Sequence, residues 1–351
     1  MAFIQSIGLA EAPFAHKQSD ILDFMVENVN IPEKDVDKIK RMYDRSEIAT
    51  RRSAIEDFSI SPADRKLFRS DKVSTKDRMQ VFFEEAPKMC LKAVEESKAP
   101  LSKITHLITV SCTGLAAPGL DIILSEKLGL QANVHRTAIN FMGCYAGFQA
   151  LKTADAICAA HQNAEVLIVD VELCTIHFQN DFSFDNITSS LLFADGCAAV
   201  WVNNKPGIYS LEHFHTELAI KGKNDMTWHL GETGFLMTLS AYVPEIIAEN
   251  IEDLLNRALS SSGKTKSEIN HWAIHPGGKK ILNEVSKSLS LQENDLDISR
   301  QVMKENGNMS SATIFFVLYE MLSAGLTSKD QIFAAGFGPG LTIESLLLEA
   351  C

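Results

Sequence analysis

The chain lacks the marks of a secreted, metal-bound or membrane-spanning protein. Its seven cysteines are Cys90, Cys112, Cys144, Cys158, Cys174, Cys197 and Cys351. The number is odd, no CxxC pair occurs, and no metal-ligand spacing is present, so a disulfide framework and a metal site are not expected. Free thiols fit a reducing, cytoplasmic compartment. The first twenty residues have no basic region, and Glu11 and Pro13 break their apolar stretch. They do not read as a signal peptide. No apolar run is long enough to cross a bilayer, so membrane insertion is not expected. Positive charge is also short, with 33 Lys and Arg against 45 Asp and Glu, a net charge of −12. That balance argues against non-specific binding to nucleic acid or anionic lipid. A small, locally basic site remains open.

What is present is ordinary globular material. The 351 residues are 46% hydrophobic, enough for a large core or two domain-sized halves. A strand is expected over residues 2–9 and a helix from Ser19. Residues 32–55 read as one charged helix, and a long helix follows over 75–96. Strands at 104–111, 134–141, 165–171 and 197–202 alternate with helices after Pro118 and around Cys144. The pattern restarts after 203–207. It gives a strand at 208–212, a helix over 238–258, a strand at 271–275 and a helix over 277–289. A helix over 310–324 and strands at 331–335 and 341–348 complete it. Such alternation means α/β, and the like order of elements in the two parts suggests duplication.

Three stretches set one reactive or polar residue against a backbone constraint. Cys144 lies where an apolar strand passes into a helix, and the positive end of a helix favours thiolate. His275 ends a strand and precedes Pro276, which holds it extended. Asn308 follows Gly307 just before a helix. Each has a bland reading: a core thiol, a satisfied histidine, a helix cap. Together they supply a nucleophile, a base and two donors for a developing oxyanion, the set that acyl transfer needs. The loop 336–340 adds Gly336, Gly338, Pro339 and Gly340. It is no dinucleotide fingerprint, because Leu341 stands where a third glycine is required. The order Cys, His, Asn also occurs in papain-like proteases, but a mid-chain cysteine without their flanking motif argues against that class.

With these residues in view, the chain resembles the type III polyketide synthases, the chalcone and stilbene synthase-like family. The resemblance rests on Met142-Gly143-Cys144-Tyr145-Ala146-Gly147, Ile274-His275-Pro276-Gly277-Gly278, Gly307-Asn308-Met309-Ser310-Ser311-Ala312 and Gly336-Phe337-Gly338-Pro339-Gly340. It implies a thiolase-like fold of two similar αβαβα halves in five layers, residues 1–205 and 206–351. It also implies a homodimer that uses malonyl-CoA and acyl-CoA directly, with no resident cofactor, metal or carrier protein. Cys144 would carry the acyl chain. His275 and Asn308 would hold the thioester oxygen during malonyl decarboxylation and condensation. Lys38, Arg41 and Arg45 locally read as a solvated face paired with Asp35, Asp37 and Asp44, but the resemblance assigns them to CoA phosphates.

The implied cavity residues are Cys112, Cys174, His177, Phe193, Trp228, Met237, Gly338 and Pro339. Phe193 matches a gatekeeper aromatic. Met237 stands for a second gatekeeper phenylalanine, Trp228 for a cavity glycine, and Cys112, Cys174 and His177 for threonines of the plant enzymes. These departures point to a bacterial-type member. Its expected product is tetrahydroxynaphthalene-, alkylresorcinol- or alkylpyrone-like. The alternatives are a ketoacyl-ACP synthase III-like enzyme making one condensation, and a catalytically silent scaffold of the same fold.

Overall fold

The computed structural model describes residues 1–70 and 72–351. The first part of the chain forms β1 (Phe3–Glu11), β2 (Phe14–Lys17), α1 (Gln18–Asn28), α2 (Glu33–Asp44), β3 (Thr50–Ser53) and α3 (Thr75–Ser97). There follow β4 (His106–Ser111), α4 (Leu120–Lys127), β5 (His135–Asn140), α5 (Ala146–Ala160), β6 (Glu165–Leu173), α6 (Phe184–Leu192) and β7 (Asp195–Asn203). The remainder forms β8 (Tyr209–Leu218), β9 (Met226–Gly231), β10 (Gly234–Leu239), α7 (Val243–Ser262) and β11 (Ile269–Ile274). Then come α8 (Lys279–Ser288), α9 (Asp297–Asn306), α10 (Thr313–Ser323), β12 (Gln331–Gly338) and β13 (Thr342–Ala350).

Nine strands join in the order β11-β12-β13-β8-β1-β7-β6-β4-β5. The order divides between β8 and β1, which share only the pairs Phe3↔Ser210 and Ile4↔Tyr209. From β1 outward the pairings run antiparallel, antiparallel, parallel, parallel. From β8 outward they run antiparallel, antiparallel, parallel. The two halves therefore share a topology although no sequence repeat is visible.

Side-chain alternation builds the layers. Along β6, Val166 and Ile168 join a core with Ala150, Phe148, Phe315 and Ile332, while Leu167 and Val169 join one with Phe82 and Ala93. Helices α5 and α10 thus lie between the two half-sheets. Helices α3 and α4 cover the outer face of the first half-sheet, and α7 with α8 that of the second. That makes the expected five layers. Cys112, Cys174 and His275 directly follow the carboxyl ends of β4, β6 and β11, and Cys144 comes after the end of β5 at Asn140, the side where open α/β sheets collect their ligands.

Several local readings needed correction. The charged helix ends at Asp44 rather than running to Ile55. The Ser46 hydroxyl donates to the Tyr43 carbonyl, and Glu47 takes a left-handed φ of 64°. The chain then turns into β3, which pairs with β2. The helix expected from Thr238 starts at Val243, because the residues before it form the β9–β10 hairpin. Apolar residues alternate there around a Gly231-Glu232-Thr233-Gly234 turn, a hairpin signal that was passed over. Helix α9 was also missed. Gly336–Gly338 are not loop but the end of β12.

Candidate active site

One narrow cavity, about 850 Å³ with its mouth, is lined by Cys112, Cys144, Cys174, His177, Phe193, Trp228, Met237 and Pro339 among others. Eight of the residues singled out from sequence therefore meet at one place. Cys144 sits two residues before α5, in a turn closed by the Ala146 N–H donating to the Gly143 carbonyl at 2.9 Å. Gly143 has φ +86°, and a Cβ there would stand 2.1 Å from Pro339 Cδ. Only glycine fits both the backbone and the space. Gly338 packs against Tyr145, and its own missing Cβ would lie 3.3 Å from the Cys144 nitrogen. The end of β12 thus presses directly on the turn that carries Cys144.

His275 and Asn308 are not among the residues that line the cavity surface. The His275 N–H donates to the Ala335 carbonyl at 2.8 Å, which ties β11 to the same β12 end. The residue is 1% exposed, and among the described residues neither ring nitrogen has a hydrogen-bond partner, the Cys144 thiol included. Leaving a buried polar group unpaired costs about 1–3 kcal/mol, and such orphans call for an explanation. Asn308 is held through its side-chain oxygen and its backbone. Its Oδ1 accepts the Ser310 N–H at 2.9 Å, and its backbone bridges Leu192 and Ala194 on either side of Phe193. The Asn308 and Ser310 side chains hydrogen-bond toward Cys144.

The cavity has a roof and a floor. The β9–β10 hairpin is the roof, with Trp228, Phe235 and Met237 facing inward. It is pinned by Trp228 Nε1 donating to the Cys112 carbonyl at 2.7 Å, and by His177. His177 Nε2 donates to the Thr113 carbonyl at 2.8 Å, and its Nδ1 accepts the Phe235 N–H at 3.0 Å. Its ring also stacks on Phe235 at 4.2 Å. The floor is the turn after β4, where Cys112 Sγ accepts the Gly143 N–H at 3.0 Å.

Family models of the N-terminal and C-terminal domains of chalcone and stilbene synthases match residues 1–206 and 211–351. The chain belongs to the chalcone and stilbene synthase family. It is 30% identical to the "Alpha-pyrone synthesis polyketide synthase-like Pks18" of Mycobacterium tuberculosis, over 99% of this chain and 91% of that protein. It superposes on PKS-I of the brown alga Ectocarpus siliculosus with TM-score 0.92 and 28% identity, covering 100% of this chain and 98% of the other. The type III polyketide synthase domain of Steely1 from Dictyostelium follows at TM-score 0.91 and 27% identity, with 99% of each chain covered. The protein is thus a type III polyketide synthase, a CoA-thioester condensing acyltransferase with a thiolase-like fold.

Burial sets the resting charges in the synthase. It pushes the Cys144 thiol up to about 12, with Glu172 adding to the shift and Ser310 and Asn308 opposing it. Burial alone brings His275 down to about 3. Burial thus favours a neutral thiol at Cys144 and a neutral imidazole at His275. Burial also raises Cys112 and Cys174 well above the ordinary thiol range, so both are protonated cavity walls.

His177 is held near 3 by burial, against the pull of the Thr113 carbonyl. Its two partners fit the neutral Nε2–H form. A lowered histidine stabilises the fold fully above its unfolded value, near 6.5, and loses that contribution as pH falls below it. The stability penalty of His177→Gln should therefore be about 1.4 kcal/mol smaller at pH 5.5 than at pH 7.5. Chemical denaturation of both proteins measures it; a penalty independent of pH would contradict the assignment.

Lys38, Arg41 and Arg45 lie outside the cavity, exposed on or just past α2. Among the described residues none of them pairs with a carboxylate, so the expected partners Asp35, Asp37 and Asp44 are not engaged. Lys38 Nζ stands 3.6 Å over the Phe184 ring at the start of α6, and α6 lines the cavity through Asn186, Ser189 and Ser190. Arg51 was missed in the sequence. It is buried, takes Gln18 Oε1 at 2.9 Å, and clamps the carbonyls of Ser190 and Phe193. Nothing in its local sequence, between Thr50 and Arg52, marks it as buried. Phe235 and Ser310 were missed as well, the first hidden in the unread hairpin.

Proposed function

We propose that the synthase loads an acyl group on Cys144 and extends it iteratively with malonyl-CoA. His275 takes the Cys144 proton as the thiol attacks the starter thioester, and CoA leaves. Malonyl-CoA then loses carbon dioxide, and the electron pair of the broken C–C bond passes to the α-carbon as an enolate. Asn308 Nδ2 and His275 donate to the enolate oxygen. The enolate attacks the Cys144 thioester, the C–S bond breaks to free the Cys144 thiolate, and the lengthened chain, now a CoA thioester, is passed back to Cys144 as its CoA leaves. The observation that carries this reading is the orphaned, buried imidazole of His275, on a backbone tied to β12, the strand whose end presses on the Cys144 turn. Its missing hydrogen-bond partner is what a substrate oxygen or a transferred thiol proton would supply.

Lys38, Arg41 and Arg45 hold CoA phosphates in this reading, supported by their freedom from carboxylate partners. Phe193 gates the passage from that mouth to Cys144. Trp228 and His177 fill volume that a smaller residue would leave to the chain, while Cys112, Cys174, Met237, Gly338 and Pro339 shape the rest. Residues 1–205 and 206–351 act as two thiolase-like halves, the first contributing Cys144 and the second His275 and Asn308. The enzyme works in the cytoplasm as a homodimer. Support for the dimer is the exposed edge strand β5, whose open backbone groups need cover. No described helix is long and apolar enough to cross a membrane.

Among product types, the mycobacterial relative's name favours a pyrone over a resorcinol or naphthalene. The second reading, a single condensation with an acyl carrier protein, predicts a different requirement. Purified enzyme given malonyl-CoA and an acyl-CoA, with a chelator and no carrier, should release a cyclised polyketide. Replacing Lys38, Arg41 and Arg45 together by Ala should raise KM for malonyl-CoA in the same assay. Turnover only after a carrier protein is added would contradict the proposal, and mass spectra across a panel of starters would define the product.

A further inference from the structure

Beneath the Cys144 turn lie two carboxyls with no charged partner. Asp170 and Glu172 are fully buried on β6, two residues apart and so on the same face. In the sheet, Asp170 stands between Val110 on β4 and Ala198 on β7, both apolar. The Ser311 hydroxyl lies between the two acids, 2.7 Å from Asp170 Oδ1 and 2.8 Å from Glu172 Oε1. A serine hydroxyl has one proton to donate. At these lengths it donates to one carboxyl and accepts from the other, so one of the acids carries a proton.

The remaining contacts say which. Glu172 Oε2 accepts the Cys112 N–H at 3.0 Å and the Thr113 hydroxyl at 2.8 Å, as an ionised group would. Among the described residues Asp170 Oδ2 has no hydrogen-bond partner, and the hydrogen bond at its Oδ1 is to Ser311. We infer that Asp170 is a neutral carboxylic acid whose Oδ1–H donates to Ser311, whose hydroxyl in turn donates to Glu172, so that one buried proton completes a relay holding both halves of the active site. Burial and the neighbouring Glu172 charge push the Asp170 carboxyl in the same direction.

The relay reaches the proposed chemistry at both ends. Through Glu172 it fixes Cys112, whose sulfur accepts the Gly143 N–H and so sets the turn before Cys144. Through Ser311 it fixes the segment that begins at Asn308 and Ser310. Asp170 is therefore a positioning residue: it touches no substrate, but its proton registers Cys144 against Asn308. This inference rests on the proposed roles of those two residues for its kinetic consequence, though not for the proton itself.

The proton is tested by infrared spectroscopy, which separates a protonated carboxyl from a carboxylate by its C=O stretch. The difference spectrum of parent minus Asp170→Asn at pH 8 should show one protonated-carboxyl band lost. A difference showing only a lost carboxylate band would overturn the inference, whatever the enzyme's activity. The positioning role is tested by kinetics. Asn retains an N–H donor toward Ser311 and Leu does not, so kcat of Asp170→Asn should exceed that of Asp170→Leu at least tenfold, with KM for malonyl-CoA within about twofold. Equal kcat values in two folded variants would mean that the donor does nothing. If the infrared result holds and the kinetic one fails, the proton is present but positions nothing; an error in the roles of Cys144 and Asn308 would show separately, as polyketide formation by Cys144→Ala.

Discussion

Replacing Cys144 by Ala should reduce polyketide formation to less than about one part in 10⁴ of the parent rate, as loss of a covalent nucleophile does elsewhere. It should nonetheless leave slow decarboxylation of malonyl-CoA to acetyl-CoA. The reason lies in the separation of the groups. Decarboxylation needs the leaving carboxylate to be desolvated and the thioester oxygen to meet donors. It does not need a thiol. Asn308 is held by its own contacts to Ser310, Leu192 and Ala194, and His275 by its link to Ala335. Neither set passes through the Cys144 side chain, so both should survive its removal. The two products are separated chromatographically in one assay. Near-normal polyketide from the variant would show that the chain is carried elsewhere, with Cys112 and Cys174 the nearest thiols. Complete loss of decarboxylation in a folded variant would mean that the thiol itself organises the donors.

Asn308 carries the second large effect. Removing one preorganised oxyanion donor costs about 10²–10³ in rate. In a Cys144→Ala background, where only decarboxylation is read, adding Asn308→Ala should lower that rate by about that factor. Ala also deletes the Oδ1 that accepts the Ser310 N–H, so the turn itself loosens. Asn308→Asp is the sharper variant. It keeps the acceptor for Ser310 and removes the N–H donor, and the added negative charge would repel an enolate. Its rate should be no higher than that of Ala. A decarboxylation rate unaffected by Asp would remove Asn308 from the oxyanion site and leave its role to the turn alone.

Both predictions start from residues that were visible in sequence, and the reason is local. Gly143, Pro276 and Gly307 each mark a backbone constraint next to a chemically capable residue, so Cys144, His275 and Asn308 could be read before any fold was known. The alternation of buried strands with helices likewise announced an α/β architecture, because β4, β6 and β12 are apolar-rich runs, buried almost throughout. What stayed hidden depends on partners distant in sequence. Arg51 looks like one of two surface arginines, and only the carbonyls of Ser190 and Phe193, about 140 residues on, give it a reason to be buried. His177 was read as a cavity residue and does line the cavity, but its bonds to Thr113 and Phe235, which make it a latch for the roof, could not be read.

The charge state of Cys144 depends on a balance that the local sequence does not show. A helix end favours thiolate when the thiol is solvated, whereas burial pushes the Cys144 thiol up to about 12. In the proposed mechanism the Cys144 proton passes to His275 only as the thioester is attacked.

The most direct test of the account is the intact mass of the enzyme after incubation with an acyl-CoA alone, without carrier protein. The account predicts one added acyl group per chain, bound as a thioester and located by peptide mapping on Cys144. No adduct, or an adduct on Cys112 or Cys174, would contradict it.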